Sequence, residues 1–234
     1  MVSSDFRKDA RDKLFGKWGK VALISLTYFV FFYIIALLEK RTSGFTNSVI
    51  SILSSLISTP LIFGLTVCFV KLFNGEDVKW YDFFSFGFDN FGKAWGIAIL
   101  TALRLLLPVI LSVISIVIMM GGGFFAYGSP DAMPLMIIIG VILYFASLIW
   151  LIVESYSYEL TYMIAAENPE MSSKDVVVRS KELMENHRFK FFCLEFSFIG
   201  WAILAILSLG IGMIWLIPYI QFAKISFYKN LIKE

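Results

Sequence analysis

Apolar residues in this chain run in long blocks, and the lengths of those blocks decide the class of fold. Six stand out: 18–38, 49–70, 95–119, 135–155, 191–209 and 211–228. Each holds about 18 or more residues, what a helix rising about 1.5 Å per residue needs to cross roughly 30 Å of hydrocarbon. The pattern predicts an all-α membrane protein, a single multi-pass domain over residues 1–234 with six transmembrane helices. The sixth block is the most interrupted, by Pro218, Gln221 and Lys224. Only Gly210 separates it from the fifth, so those two helices form a tight hairpin with Gly210 and Gly212 at the turn.

The segments between the spans carry a second pattern. Ser172 with Asp175 three residues on fits a capping box, and Val176, Ser180, Leu183, Met184 and His187 then recur at helical spacing. This predicts an amphipathic interfacial helix over 172–187, held at the inner membrane surface by Val176, Val177, Leu183 and Met184. Residues 5–15 repeat the pattern in more polar form, and Trp80, Phe84, Phe88 and Phe91 give a third segment an aromatic face suited to the interface. The run Phe15-Gly16-Lys17-Trp18-Gly19 is echoed by Phe91-Gly92-Lys93-Ala94-Trp95-Gly96, and Asn186-His187-Arg188-Phe189-Lys190 holds the corresponding place before the fifth span. Three units of surface helix, outward span and return span would then fill the chain. The alternative is that basic-aromatic junctions share this look wherever a chain enters a membrane.

Composition agrees with the blocks, since 59% of residues are hydrophobic and only 16% charged, more apolar surface than a soluble domain can bury. Charge adds the orientation. Seventeen of the 20 Lys and Arg residues fall on the side that holds the N-terminus, Lys40 and Arg41 fall on the other, and Arg104 lies within the third span. Positive residues stay in the cytoplasm, so both termini are expected there. The net charge of +2, with no basic stripe, excludes nucleic acid as a partner; the expected partners are membrane lipids and other membrane proteins. No small-residue cleavage pattern follows Leu38, so the first block reads as a retained span. Cys68 and Cys193 lie in apolar segments and read as packing thiols.

The search for catalysis finds little. One histidine, His187, cannot build a Ser-His dyad within the spans or a paired-His metal site, so no enzyme activity, metal or cofactor is expected. Gly121 to Gly123 reads as the start of an outer loop. Ser48, Ser51, Ser54, Ser55, Ser58 and Thr59 precede Pro60 in the second span, a run that suits close helix packing, with a polar pore lining as the sharper alternative. Glu195 reads as an interfacial partner of the basic residues 188–190.

The candidate intramembrane polar site comprises Arg104, Pro108, Glu154 and Glu159. Arg104 lies about 14 Å beyond Trp95 along the third span, where an isolated Arg costs roughly 2.5–3.5 kcal/mol. It is therefore expected to face the bundle interior. Pro108 cannot donate to the Arg104 carbonyl. Side chains lean towards the N-terminus of their helix, so Arg104 and Glu154 on antiparallel spans lean towards each other, which makes Glu154 the expected partner and Glu159 the next.

From Tyr156 onward the chain resembles a known family. Tyr156-Ser157-Tyr158, Ala166-Glu167-Asn168-Pro169, Ser180 to Met184, Phe196 to Trp201, Gly210-Ile211-Gly212, Pro218-Tyr219 and Phe227-Tyr228 are similar, in order and spacing, to the bacterial integral membrane family catalogued as domain of unknown function 975. The basic segment ending Phe15 to Trp18 fits the same pattern. Where the family often has a Pro-Gly pair in the fourth span, this chain has Trp150-Leu151. The resemblance implies a bacterial plasma-membrane protein of six spans with no established activity and no catalytic residues to carry over. More remotely the family resembles the membrane domain of some glycerophosphodiester phosphodiesterases. Two functional readings follow: a non-enzymatic membrane accessory or scaffold protein docking partners through residues 172–190, or a transporter or channel-like protein with a polar site between spans two to four.

The orientation is testable. A cysteine at Ser43 or Ser129 should react with an impermeant thiol reagent added to intact cells, and one at Ser173 should not; outside labelling at Ser173 would reverse the topology.

Overall fold

The computed structural model describes residues 2–125 and 132–233, so Ser129 lies outside the described residues. Among them every regular element is an α-helix: α1 (Ser3–Leu14), α2 (Trp18–Arg41), α3 (Gly44–Phe73), α4 (Asp82–Asp89), α5 (Phe91–Phe125), α6 (Ala132–Tyr156), α7 (Thr161–Glu167), α8 (Ser173–Met184), α9 (Arg188–Phe196), α10 (Ile199–Leu207) and α11 (Met213–Leu231). Five stretches are long and apolar enough to cross a membrane: Trp18–Arg41, Gly44–Phe73, Phe91–Met120, Pro134–Glu167 and Arg188–Leu207. This is the architecture of a multi-pass membrane protein. The expected sixth span corresponds to α11, which is not among the five but buries ten of its 19 residues. The glycines at 121–123 continue α5 instead of opening a loop.

The core gathers at one end of the bundle. In α2 only Val21, Ala22, Ile24 and Ser25 near its start are buried, in α3 the buried residues run from Pro60 to Phe73, and in α11 from Leu216 to Leu231. Far from that end the helices stay exposed, as at Ile52, Ile142 and Leu207. The short helices seal the packed end in a cyclic order: α4 packs on α3, α8 on α5 and α7, and α1 on α11. The expectation that α8 rests its apolar face on lipid is corrected here, because Val176, Val177 and Met184 lie in the protein core. Only Leu183, partly buried, sits at its edge. Hydrophobic spacing identifies the face a helix must cover, and here protein covers it.

Two of the five apolar stretches are interrupted. Pro134–Glu167 breaks over residues 157–160 between α6 and α7, just past the expected end of the fourth span at 155, and Arg188–Leu207 breaks at Ser197–Phe198, within the expected fifth span, between α9 and α10. Short-range bonds such as Ser157 N–H to the Glu154 carbonyl (3.0 Å) and Phe198 N–H to the Glu195 carbonyl (2.9 Å) tighten these turns. Each break frees carbonyls, and neighbouring helices supply donors. Ser180 of α8 donates its hydroxyl to the Ser157 carbonyl at 2.9 Å, and Arg7 of α1 donates to the Ser197 carbonyl at 3.3 Å. Pro60 has no N–H for the Leu56 carbonyl four residues before it; Trp95 Nε1 donates there at 3.1 Å.

The echoed Phe-Gly-Lys segments hold equivalent places. Lys17 donates to the Leu72 carbonyl (2.7 Å) at the end of α3, and Lys93 donates to the Asn168 and Pro169 carbonyls (2.9 and 2.7 Å) just past α7. A cation at a helix C-terminus answers both the orphan carbonyls and the helix dipole. α1 and α8 also end alike, with Gly16 and Asn186 two residues past each helix in the left-handed region, where Gly and Asn are the residues of least strain. In the loop after α3, the hydrogen bond and then the charge of Lys20 hold the exposed Asp77 carboxyl below the ordinary carboxylate range.

The tightest helix contact is between α3 and α4. A Cβ on Gly64 would stand 2.0 Å from the Phe83 carbonyl oxygen and 2.7 Å from the Gly87 nitrogen. Gly64→Ala is therefore expected to push α4 off α3 and destabilise the protein by about 1–3 kcal/mol, read as a lower melting temperature in detergent. Gly92→Ala, with nothing within 4 Å of its Cβ, should be neutral or slightly stabilising. Equal effects would mean that the two helices do not meet there.

Candidate functional site

Where the break after α6 meets α11, three charged residues come together. The turn at 157–160 turns Glu159 towards α11, where Lys224 donates to its Oε2 at 3.2 Å. Lys224 Nζ also lies 2.6 Å from Glu195 Oε1 on α9 and 5.3 Å from the centre of the Phe191 ring. Its side chain is only 13% exposed, so a lysine in an apolar helix is held by two carboxylates and an aromatic face. The group carries one net negative charge and borders a cavity of about 340 Å³. Polar side chains converge on that cavity from five elements: Thr66 of α3, Thr101 of α5, Tyr158 and Glu159 of the break, Thr161 of α7, and Gln221 and Lys224 of α11. The Thr101 hydroxyl is buried without a hydrogen-bond partner.

The expected Arg104–Glu154 pair does not form. Glu154 Oε1 instead accepts from Lys181 Nζ of α8 at 2.9 Å and from the Tyr158 hydroxyl at 2.8 Å. Arg104 is exposed, where it was expected to face the bundle interior, and forms no ion pair among the described residues; it interacts electrostatically with Tyr158. Pro108, one turn on, is buried. The physical reason is that α8, packed on α5 and α7, brings the flexible Lys181 ammonium to Glu154. Of the four expected site residues, then, only Glu159 belongs to the cavity's charged cluster. Glu195, expected to partner the basic residues 188–190, pairs with Lys224 instead. Lys224 is the member that sequence reasoning passed over, and the signal was present, since a lysine within an otherwise apolar helix calls for a partner as strongly as Arg104 does.

The serine-rich stretch of α3 does not join the cavity. Ser55 and Ser58 spend their hydroxyls on the Ser51 and Ser55 carbonyls of their own helix, both at 2.9 Å. Among the described residues no group of three His, Cys, Asp or Glu side chains could hold a metal ion. What the cluster can do is fix charge: its lysine is engaged by two carboxylates, and the cavity can admit a small polar or cationic species beside them.

A double-mutant cycle distinguishes the two possible partners of Glu154. The losses in melting temperature from Lys181→Gln and Glu154→Gln should be less than additive when combined, because the two changes remove one interaction. Those from Arg104→Gln and Glu154→Gln should simply add. Coupling in the second pair without coupling in the first would restore the Arg104–Glu154 bond.

No match was found among curated proteins or among solved structures. One family matches along the entire length, residues 1–234. It is described as Protein of unknown function (DUF975), and the chain belongs to it.

Proposed function

We propose that this chain is a six-span, non-enzymatic accessory or scaffold protein of the bacterial cell membrane, with both termini and the helices α1, α4 and α8 at the cytoplasmic face. Counting α11 as the sixth span is supported by the direction of its polar residues, since Gln221 and Lys224 point into the bundle cavity. Three repeated units, beginning at α1, α4 and α8, are supported by the cyclic packing of the short helices and by the matched roles of Lys17 and Lys93.

The observation that carries the accessory reading is Arg104. It stands exposed on α5 among Leu103, Leu106 and Leu107, all at least half exposed. A guanidinium at span depth is costly unless another group takes it, and among the described residues no carboxylate pairs with it. An acidic or polar side chain on a neighbouring membrane protein fits that need, and the leucines around it supply the apolar contact. Docking thus shifts from residues 172–190, whose apolar face is used internally, to the membrane face of α5.

A photoreactive amino acid at Leu107 should give a discrete protein adduct in native membranes, reduced severalfold by Arg104→Leu. Adducts with lipid alone would remove the accessory reading. The second reading, a transporter or channel-like protein, is favoured by the polar cavity beside Glu159 and Lys224. Ion or solute flux in proteoliposomes, abolished by Glu159→Gln or Lys224→Met, would establish it in place of the first.

A further inference from the structure

A second cavity, of about 450 Å³, differs from the first in chemistry. It is a groove between α10, α11 and the start of α2, walled by Trp18, Trp201, Trp215 and Tyr219, with Arg11 of α1 at one end. Its wall along α11 runs from Tyr219 to Gly212, about 10 Å at 1.5 Å per residue. The aromatic walls are fixed. Tyr219 meets Trp18 edge-on with ring centres 6.1 Å apart and Phe198 likewise at 5.1 Å, and its hydroxyl donates to the Arg7 carbonyl at 3.3 Å, tying α11 to α1. At its upper end Gly212 lets the start of α11 lie close against α10, since a Cβ there would come within 2.9 Å of Ala205.

Arg11 is exposed and forms no ion pair among the described residues. It lies on α1 at the packed, basic end, so a cation caps an apolar, tryptophan-lined channel that opens on the membrane side. We propose that this groove holds one phospholipid with an anionic headgroup, its phosphate against Arg11 and one acyl chain along Trp201, Trp215 and Leu216. The charge selects the head and the walls select the chain. Tryptophan rings suit this depth, being apolar in body and able to donate at the edge near the headgroups. A partner's transmembrane helix does not fit, because a cylinder about 10 Å across would need roughly 800 Å³ over the same length. The proposal is independent of the Arg104 surface, which lies on α5.

The full chain in nanodiscs tests it, with Trp80 and Trp150, both exposed, replaced by Phe so that three of the four remaining tryptophans line the groove. Phosphatidylglycerol with brominated acyl chains, present at a small mole fraction in unbrominated phosphatidylcholine, should quench tryptophan fluorescence saturably and at a severalfold lower fraction than brominated phosphatidylcholine does. Arg11→Gln should raise the phosphatidylglycerol fraction needed for half-quenching by about fivefold, the effect of one cation at an anionic headgroup, and leave the phosphatidylcholine curve unchanged. Arg11→Lys should keep the preference, which guards against a merely misfolded variant, and Lys8→Gln, an exposed cation on the same helix, should also keep it. Equal quenching by the two lipids, or an unchanged preference in Arg11→Gln, would overturn the proposal. So would displacement of the lipid by soluble glycerol phosphate, which would make the site one for free phosphate esters.

Discussion

A backbone carbonyl that loses its helical partner inside hydrocarbon has no water to turn to, and each orphan there costs several kcal/mol. This chain interrupts its long helices at Pro60, at residues 157–160 and at Ser197–Phe198, and each interruption is met by a donor from a different element. Trp95 answers Pro60, Ser180 answers the first turn and Arg7 the second. Those donors reach only if α1, α8 and the start of α5 are packed tightly against the broken helices. The breaks therefore dictate where the core must be, and the core sits at the end of the bundle that holds them. Away from that end the faces of α3 and α5 stay exposed, as at Ile52 and Leu107.

The same constraint explains the dual role of the short helices. An amphipathic segment at a membrane boundary can lie on lipid or close a protein surface, and both demand the same spacing of apolar residues. α8 does the second, with Val176 and Val177 buried and its polar face carrying Lys181 to Glu154. Its start is as the sequence implied, since Ser172 Oγ accepts from the Asp175 N–H at 3.2 Å. α4 divides the task, with Phe83 and Gly87 against α3 while Trp80 and Phe88 stay exposed.

Long apolar blocks are legible in the sequence because span length is a physical requirement of the bilayer, and the five most apolar stretches lie where the blocks lie. The end of α6 was legible, one residue past the expected span end at 155, but the helix that resumes at Thr161 was not. The second break was not legible either, because Phe196-Ser197-Phe198 sits within an apolar run. The site failed for a related reason. Pairing Arg104 with Glu154 assumed two continuous antiparallel helices and no third element, whereas the turn at 157–160 redirects Glu159 to α11 and α8 supplies Lys181. Lys224 was readable only as a blemish in a span, because its partners Glu159 and Glu195 come from other elements, 65 and 29 positions away.

Lys224 and Arg104, each a cation on a largely apolar helix, mark the difference between an internal and an external demand. Lys224 is nearly enclosed, and two carboxylates and a phenyl ring satisfy it within the chain. Removing Lys224 would leave its two carboxylates without their shared cation, so this cluster ties α9, α11 and the α6–α7 break into one unit. A carrier that changed shape around the cavity would have to break those bonds in each cycle, whereas a static base benefits from keeping them. Arg104 has the opposite surroundings, an exposed face and no carboxylate partner among the described residues. On the accessory reading proposed above, that exposed charge is met from outside the chain, as Lys224 is met from within it.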